Sequence, residues 1–461
     1  MKTPLSKKNA LAYHADGRPG KIEVIPTKPH HSQYDLTLAY SPGVAEPWLE
    51  IKANPEDVYK YTAKGNLVAV SSNGTAVLGL GDIGPEAGKP VMEGKGLLFK
   101  IFADIDVFDI ELSDKSIEGM VNTIKSIAPT FGGINLEDIK APECFEVEDR
   151  LKELLDIPLM HDDQHGTAII TSAGLLNALE ISGKKIEEIR VVVNGAGASA
   201  ISCSKLYLSL GVKPENLVMV DSKGVLNKKR TDLNPWKQKF VTSRDINTLA
   251  EAMKDADMFL GLSVAGVVTP EMLLSMADHP IVFALANPTP EISYELATAT
   301  RSDLIMGTGR SDFPNQVNNV LGFPYIFRGA MDVRATAINE EMKLAAAHAL
   351  ADLAKQPVPE EVNIAYQVTN LKFGKDYIIP KPSDPRLITH VAPAVAKAAM
   401  DTGVARKPVT DWDTYRDELG KLLGLSNPLI RQIKARAKKN PRREVFAEAG
   451  TSKIRQAGAI V

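Results

Sequence analysis

Cysteine is almost missing from this chain: Cys144 and Cys203 are the only two among 461 residues. Two thiols cannot build a disulfide framework, and neither stands at the spacing of a metal-binding pair. A disulfide-stapled secreted fold and a thiolate metal centre are therefore excluded, and both thiols are expected as buried small hydrophobes in a reducing compartment. Charge of one sign is lacking as well. The 54 Lys and Arg face 57 Asp and Glu, a net charge of −3. The basic residues are scattered rather than striped until residue 428, so no nucleic acid partner is expected. No uninterrupted apolar run reaches about 18 residues, and the opening MKTPLSKKNALAYH holds no apolar leader segment. A soluble cytoplasmic protein without membrane contact is expected. Internal repeats are absent too.

What is there is a chain with 44% apolar and 24% charged residues, long enough for two or more domains with separate cores. Strand-like runs alternate with amphipathic stretches, which predicts an α/β fold with parallel sheets. The alternation is clearest from 190 to 310, where IRVVVNG, NLVMVD, DMFLGLS, PIVFALAN and DLIMGTG each read as a buried strand. That is a doubly wound, Rossmann-type pattern. Residues 1–164 carry their own strand-like runs, LVAVSS, AVLGLG and LLFKIFADIDV, and are expected to form a separate N-terminal domain. HGTAIITSAGLLNALEISGKK reads as a connecting helix ended by Ser-Gly. The second domain is expected over 165–425, with NEEMKLAAAHALADLAK and THVAPAVAKAAMDTG as its terminal helices.

The turn NGAGASA at 194–200 lies between the strand VVV and a helical stretch. There Gly195 permits the tight turn, Gly197 lets a pyrophosphate approach the backbone N–H groups, and Ala198, Ser199 and Ala200 open the helix, Ala200 standing where a small residue allows close helix–strand packing. The next strand ends in Asp221, where a carboxylate accepts hydrogen bonds from an adenosine ribose and favours NAD. Lys223 follows at once, and Lys228, Lys229 and Arg230 soon after. A lysine there can neutralise a 2′-phosphate, so NAD and NADP both stay open, and the KKR run also reads as a solvated loop.

The N-terminal domain holds the less common groupings. NLEDIKAPECFE sets Glu137 and Asp138 at the end of an apolar stretch, and IPLMHDDQHGTA does the same for Asp162 and Asp163. Adjacent carboxylates repel unless a cation offsets them, and hard oxygen donors without Cys spacing suit Mg²⁺ or Mn²⁺. His161 and His165 flank the second pair and read as capping or supporting contacts before ligands. PVMEGKGLLFK sets Lys95 between glycines just before an apolar strand, where desolvation would lower its pKa toward that of a general base. TLAYSPGVAEP presents Tyr40 at the end of a strand-like run, before a Ser-Pro-Gly turn.

Taken together, YSPGVAEP, GDIGPEAGKPVMEGKGLLFK, NLEDIKAPECF, HDDQHGTA, VVNGAGASA, VDSKG, ANPTPE and TGRSDFPNQVNNVLGFPYIFRG, in that order over residues 10–425, resemble the malic enzymes of bacterial type. The resemblance implies oxidative decarboxylation of L-malate to pyruvate and CO₂ with reduction of NADP⁺ or NAD⁺, NADP being favoured by VDSKG, and also oxaloacetate decarboxylation. It implies Lys95 as base, assisted by Asp162; Glu137, Asp138 and Asp163 as ligands of Mg²⁺ or Mn²⁺; and Tyr40 as the acid that protonates C3 of enolpyruvate. It also implies Asn287 and Asn318 as amide donors to malate or the nicotinamide carboxamide, with Asn319 a weaker candidate. A homodimer or larger homo-oligomer is implied, with segment 1–60 the expected contributor. A dinucleotide-binding regulator that has lost chemistry is the alternative on the same fold, and an amino-acid dehydrogenase would need no carboxylate metal site.

The last stretch changes character. Residues 428–461 read as a basic helix, an Asn-Pro break, a strand REVFAEA and the start of another helix. A strand with half a helix cannot bury its apolar face alone. The piece resembles the opening of the phosphate-acetyltransferase-like domain of hybrid malic enzymes, so residues 426–461 are expected to be a linker and the start of a truncated domain that binds an acyl-CoA regulator.

Overall fold

The computed structural model describes residues 6–77 and 80–424. Two parallel sheets organise it. The first has β1 (Leu67–Ser72), β2 (Asp106–Glu111), β3 (Gly133–Glu137) and β4 (Leu159–His161) in the order β2-β1-β3-β4. The second has β5 (Val191–Asn194), β6 (Leu217–Asp221), β7 (Gly224–Val225), β8 (Met258–Gly261), β9 (Ile281–Ala284) and β10 (Ile305–Thr308) in the order β10-β9-β8-β5-β6-β7, all parallel except β7. Parallel strands need helical crossovers, which cover both faces and make the strands apolar throughout. In β5 the alternation follows: Val191 and Val193 face one core, Val192 a second core with Val218, Phe259 and Val282. The five strands expected between 190 and 310 are all present, and β7 is added.

The helix Asp162–Ser182 joins the sheets. It starts directly after β4, is buried along most of its length, and stops at Gly183, whose φ of 69° ends it in the left-handed region. Asn177 on this helix donates to the carbonyls of Ala351 and Ile378, at 2.9 and 2.8 Å, tying it to the C-terminal part of the chain. The helices Glu340–Lys355 and Leu387–Asp401 lie where the apolar spacing sets them.

Three expectations fail locally. The Tyr40 stretch is a helix, Gln33–Ala39, not a strand, because Ser32 and Asp35 form a reciprocal capping box that starts a turn. LLFKIFA is the end of the helix Pro85–Ala103, and only DVFDIE after it is a strand. Lys95 therefore sits in mid-helix, where Gly96 lets the backbone pack on Val107 of β2. AVLGLG gives no strand among the described residues, only a bridge from Val77 to Gly81. The reading of 428–461 lies outside the described residues.

The N-terminal arm contrasts with all of this. Its helices Lys7–Ala15, Gln33–Ala39 and Ala45–Ala53 contain no buried residue. Tyr34, Leu36, Leu38, Tyr40 and Trp48 are all exposed, Tyr40 by 79%.

Candidate active site

The acidic centre forms because β3 and β4 are neighbours. Their register pairs Leu136 with His161, so Glu137 and Asp138 at the end of β3 meet Asp162 and Asp163 in the first turn of the connecting helix. Asp138 has a φ of 53°, and its N–H donates to Asp163 Oδ2 at 2.8 Å. One carboxylate oxygen from each of Glu137, Asp138 and Asp163 lies within 4.8 Å of the others. Lys95 enters from the side: its Nζ is 2.8 Å from Glu137 Oε1, 2.6 Å from Asp162 Oδ2, and 4.3 Å above the Phe323 ring.

One ammonium stands among four buried or half-buried carboxylates, and the charges respond. Burial, with the neighbouring carboxylates, pushes Glu137 up to about 8, Asp138 up to about 7 and Asp163 up to about 7. Burial alone would lower Lys95, but Asp162, Glu137 and Asp163 hold its ammonium above the usual lysine value. The expected lowering is thus reversed, since paired anions outweigh desolvation here. Asp138 Oδ2 and Asp162 Oδ1 are buried and unpartnered among the described residues. Surplus anionic oxygens of this kind fit a hard divalent cation.

Asn319 joins the group: its Nδ2 is 3.2 Å from Asp162 Oδ2, and its Oδ1 accepts from Thr167 at 3.1 Å. Asn318 instead uses its Oδ1 to cap the N–H of Val320 at 3.0 Å. The weaker sequence candidate of the two therefore touches the centre. Tyr40 makes no side-chain hydrogen bond among the described residues and stands at the surface.

The glycine turn lies at the C-terminal edge of the second sheet. Gly195 has a φ of 129°, and a Cβ there would collide with the carbonyl of Leu262. A Cβ on Gly197 would meet nothing within 4 Å, and the helix Ala198–Leu210 that follows has no side-chain cap. Its free N–H groups face an open surface suited to a pyrophosphate. Ala200 is buried against the strands. Ser199 Oγ donates to the carbonyl of Asp163 at 2.6 Å, which couples the turn to the acidic centre.

Asp221 is not a free carboxylate. Arg230 reaches it through two nitrogens at 3.0 and 3.1 Å and Lys237 at 2.9 Å. Burial opposes its charge, but Arg230 and Lys237 hold it down at about 2. Lys223 donates its N–H to Asp221 at 2.9 Å, while its Nζ pairs with Asp232 at 2.7 Å. Arg230 was legible only as part of a solvated run, and nothing local marked Lys237. Asn287 follows β9, on the other side of the β5–β8 crossing from Asp221, beside Gly309.

A glycine turn at the switch point of a doubly wound sheet, tied to an acidic centre on a second sheet, defines a two-domain α/β dinucleotide-binding protein. The family description "Malic enzyme, NAD binding domain" matches residues 164–374, and "Malic enzyme, N-terminal domain" matches 19–116 and 113–152. The NADP-dependent malic enzyme of Halomonas elongata is 58% identical over 88% of this chain and 96% of its own length. That of Rhizobium meliloti is 54% identical over 97% of this chain and 59% of its own. The crystal structure of the malic enzyme from Pyrococcus horikoshii superimposes with a TM-score of 0.84, at 43% identity, over 94% of this chain and 99% of that one. This chain belongs to the malic enzyme family. It spans 59% of the length of several relatives it matches.

Proposed function

We propose that this protein catalyses the metal-dependent oxidative decarboxylation of L-malate to pyruvate and CO₂ with reduction of NADP⁺, and decarboxylates oxaloacetate as well. The observation that carries the reading is Lys95, held between Asp162 and Glu137 at 2.6 and 2.8 Å beside three convergent carboxylates. A regulator without chemistry has no use for an ammonium buried in surplus negative charge.

Glu137, Asp138 and Asp163 would hold the divalent cation, and the chemistry it would supply is Lewis-acid stabilisation of developing negative charge on the substrate. At rest Lys95 is an ammonium. With a cation held by the three carboxylates, their anionic pull on it would be relieved, so that it can pass its proton to Asp162 at 2.6 Å, and the amine so freed takes the C2 hydroxyl proton. With Glu137 committed as a ligand, Asp162 is the partner that aims the Lys95 amine, and Asn319 fixes Asp162. Gly195, Gly197, Ala198, Ser199 and Ala200 receive the pyrophosphate, and Asn287 the nicotinamide carboxamide or the substrate. Asn318 completes the substrate contacts. Tyr40 protonates C3 of the enolate. NADP is favoured because Asp221 is already neutralised by Arg230 and Lys237, which removes the repulsion a 2′-phosphate would meet. Malate-dependent NADPH formation, followed by absorbance, is expected with Mg²⁺ or Mn²⁺ and is expected to vanish in excess chelator. Full turnover in the chelator overturns the reading.

The working form is a homodimer or larger homo-oligomer. The arm 7–53 exposes Tyr34, Leu36, Leu38, Tyr40 and Trp48, and a second copy is what covers them and brings Tyr40 to a Lys95 centre. Scattering that gives a monomer at assay concentration contradicts this. The domains divide into 1–164, 165–425 and a linker from 426. The resemblance of 428–461 to the start of a phosphate-acetyltransferase-like domain supports regulation by an acyl-CoA through a further domain. Acyl-CoA insensitivity of the full-length gene product would refute it. The buried thiols and the absence, among the described residues, of a helix able to cross a membrane support a cytoplasmic location, which fractionation checks.

A further inference from the structure

Asp162 and Asp163 are consecutive residues in one helical turn, and they must point in different directions: one to Lys95, one to Asp138. What fixes that turn is a buried carboxylate with no part in the chemistry above. Glu148 lies on the helix Glu143–Leu154 and is 3% exposed. It accepts the N–H of His161 at 3.1 Å, and its two oxygens lie 3.0 and 2.9 Å from His165 Nε2. It therefore grips the residue before the Asp pair and the residue two positions after it. Gln164, between them, donates to the carbonyl of Cys144 on the same helix at 3.5 Å.

The remaining contacts set the sense of this grip. Lys152 Nζ is 2.9 Å from Glu148, and Lys343 Nζ is 3.4 Å from His165 Nδ1. An ammonium on Nδ1 leaves the ring proton on Nε2, facing Glu148. Burial works against the Glu148 carboxylate, but His165 and Lys152 beside it hold it well below the usual carboxylate range. The His161 ring offers no substitute for this grip, because its Nδ1 is 3.9 Å from Asp163, outside hydrogen-bond range. A buried ion pair adds little net stability, so what Glu148 contributes is direction.

We propose that Glu148, acting through His165 and the His161 backbone, is the positioning residue that orients Asp163 and Asp162, and thereby sets the affinity of the centre for its divalent cation. This rests on the metal reading of Glu137, Asp138 and Asp163.

The test is Mn²⁺ binding to the metal-free full chain, read by electron paramagnetic resonance without malate or dinucleotide, with thermal unfolding recorded alongside. Glu148→Gln keeps the size and one acceptor but loses the charge facing His165. It is expected to bind Mn²⁺ about 10- to 100-fold more weakly, as lost supporting contacts do at other metal sites. Its kcat should return toward wild type at saturating Mn²⁺. Because a lowered folded fraction would weaken Mn²⁺ in the same way, the thermal unfolding record must show the metal-free variant folded at the temperature of the binding measurement. His165→Gln is expected to weaken Mn²⁺ in the same direction, and the double variant no more than the stronger single one. Should Glu148→Gln fail to fold, His165→Gln decides alone. Unchanged Mn²⁺ affinity in a cooperatively folded variant overturns the proposal. No Mn²⁺ binding by the wild type would instead bring down the metal reading, and this inference with it.

Discussion

Both sheets bring chemistry to their C-terminal edges, and they treat charge there in opposite ways. At the edge of β3 and β4, Glu137, Asp138, Asp162 and Asp163 face one ammonium, and two acceptor oxygens are left unpartnered among the described residues. At the edge of β6, Asp221 is held by a bidentate arginine, which it shares with Asp232, and by Lys237. The first edge is short of positive charge and the second is not. The difference carries the proposed assignment of the two edges: a hard cation at the one with surplus carboxylates, an anionic dinucleotide at the one already neutralised.

Removing the one positive group from the acidic edge should have the largest effect. Lys95→Ala is expected to lower malate turnover by about 10³-fold, the range for a lost proton carrier. Steady-state kinetics at saturating Mn²⁺ measures this, and loss confined to KM would break the assignment. Tyr40→Phe should impair enolate protonation more than hydride transfer, so oxaloacetate reduction should survive better than pyruvate formation.

The next test asks whether the surplus negative charge is real. Glu137, Asp138 and Asp163 keep their protons up to about 8, 7 and 7 in the folded chain, but only to about 4 when unfolded. Between these limits the native state binds more protons, so stability of the metal-free protein is expected to fall as pH rises from about 5 to 8. Lys95, raised above its ordinary value, stays charged in both states across that window and adds no slope. Glu111, which burial and Asp109 push up to about 7, adds to the slope, but only the acidic centre should respond to Mn²⁺. A melting temperature that Mn²⁺ raises more at pH 8 than at pH 6 supports the contrast, and an equal gain removes it.

The smallest effects belong to the neutralised edge. Lys237→Ala and Arg230→Ala should each shift the NADP/NAD ratio of kcat/KM toward NAD by about tenfold, the worth of one charged hydrogen bond. Lys223→Ala should shift it less, because its ammonium is already given to Asp232. A larger shift for Lys223 than for Lys237 reverses that order.

The dinucleotide half was easy to read because each of its signals is local. VVVNGAGASA is strand, turn and helix within ten residues, and Asp221 needs only the next strand. The acidic half was harder. Nothing near Lys95 distinguished helix from strand, because EGKGLLFKIF mixes glycines with an apolar run, and packing against β2 through Gly96 overrode weak local preference. The stretch before Tyr40 reads as a strand by its apolar residues, although Ser32 and Asp35 form the capping box that starts a helix there.

The sequence by itself determined the two-domain α/β plan, the glycine turn and the identity of the acidic residues, since these follow from periodicity, turn chemistry and charge within short windows. Tertiary structure alone decided which carboxylates meet. Glu137 and Asp163 lie 26 positions apart and come together only because β3 pairs with β4. It also decided that Lys95 is cationic rather than poised as a neutral base, that Asp221 is already paired, and that Glu148 grips the turn beside it. A pKa and a hydrogen bond depend on what lies within a few ångströms, and distance along the chain does not say what that will be.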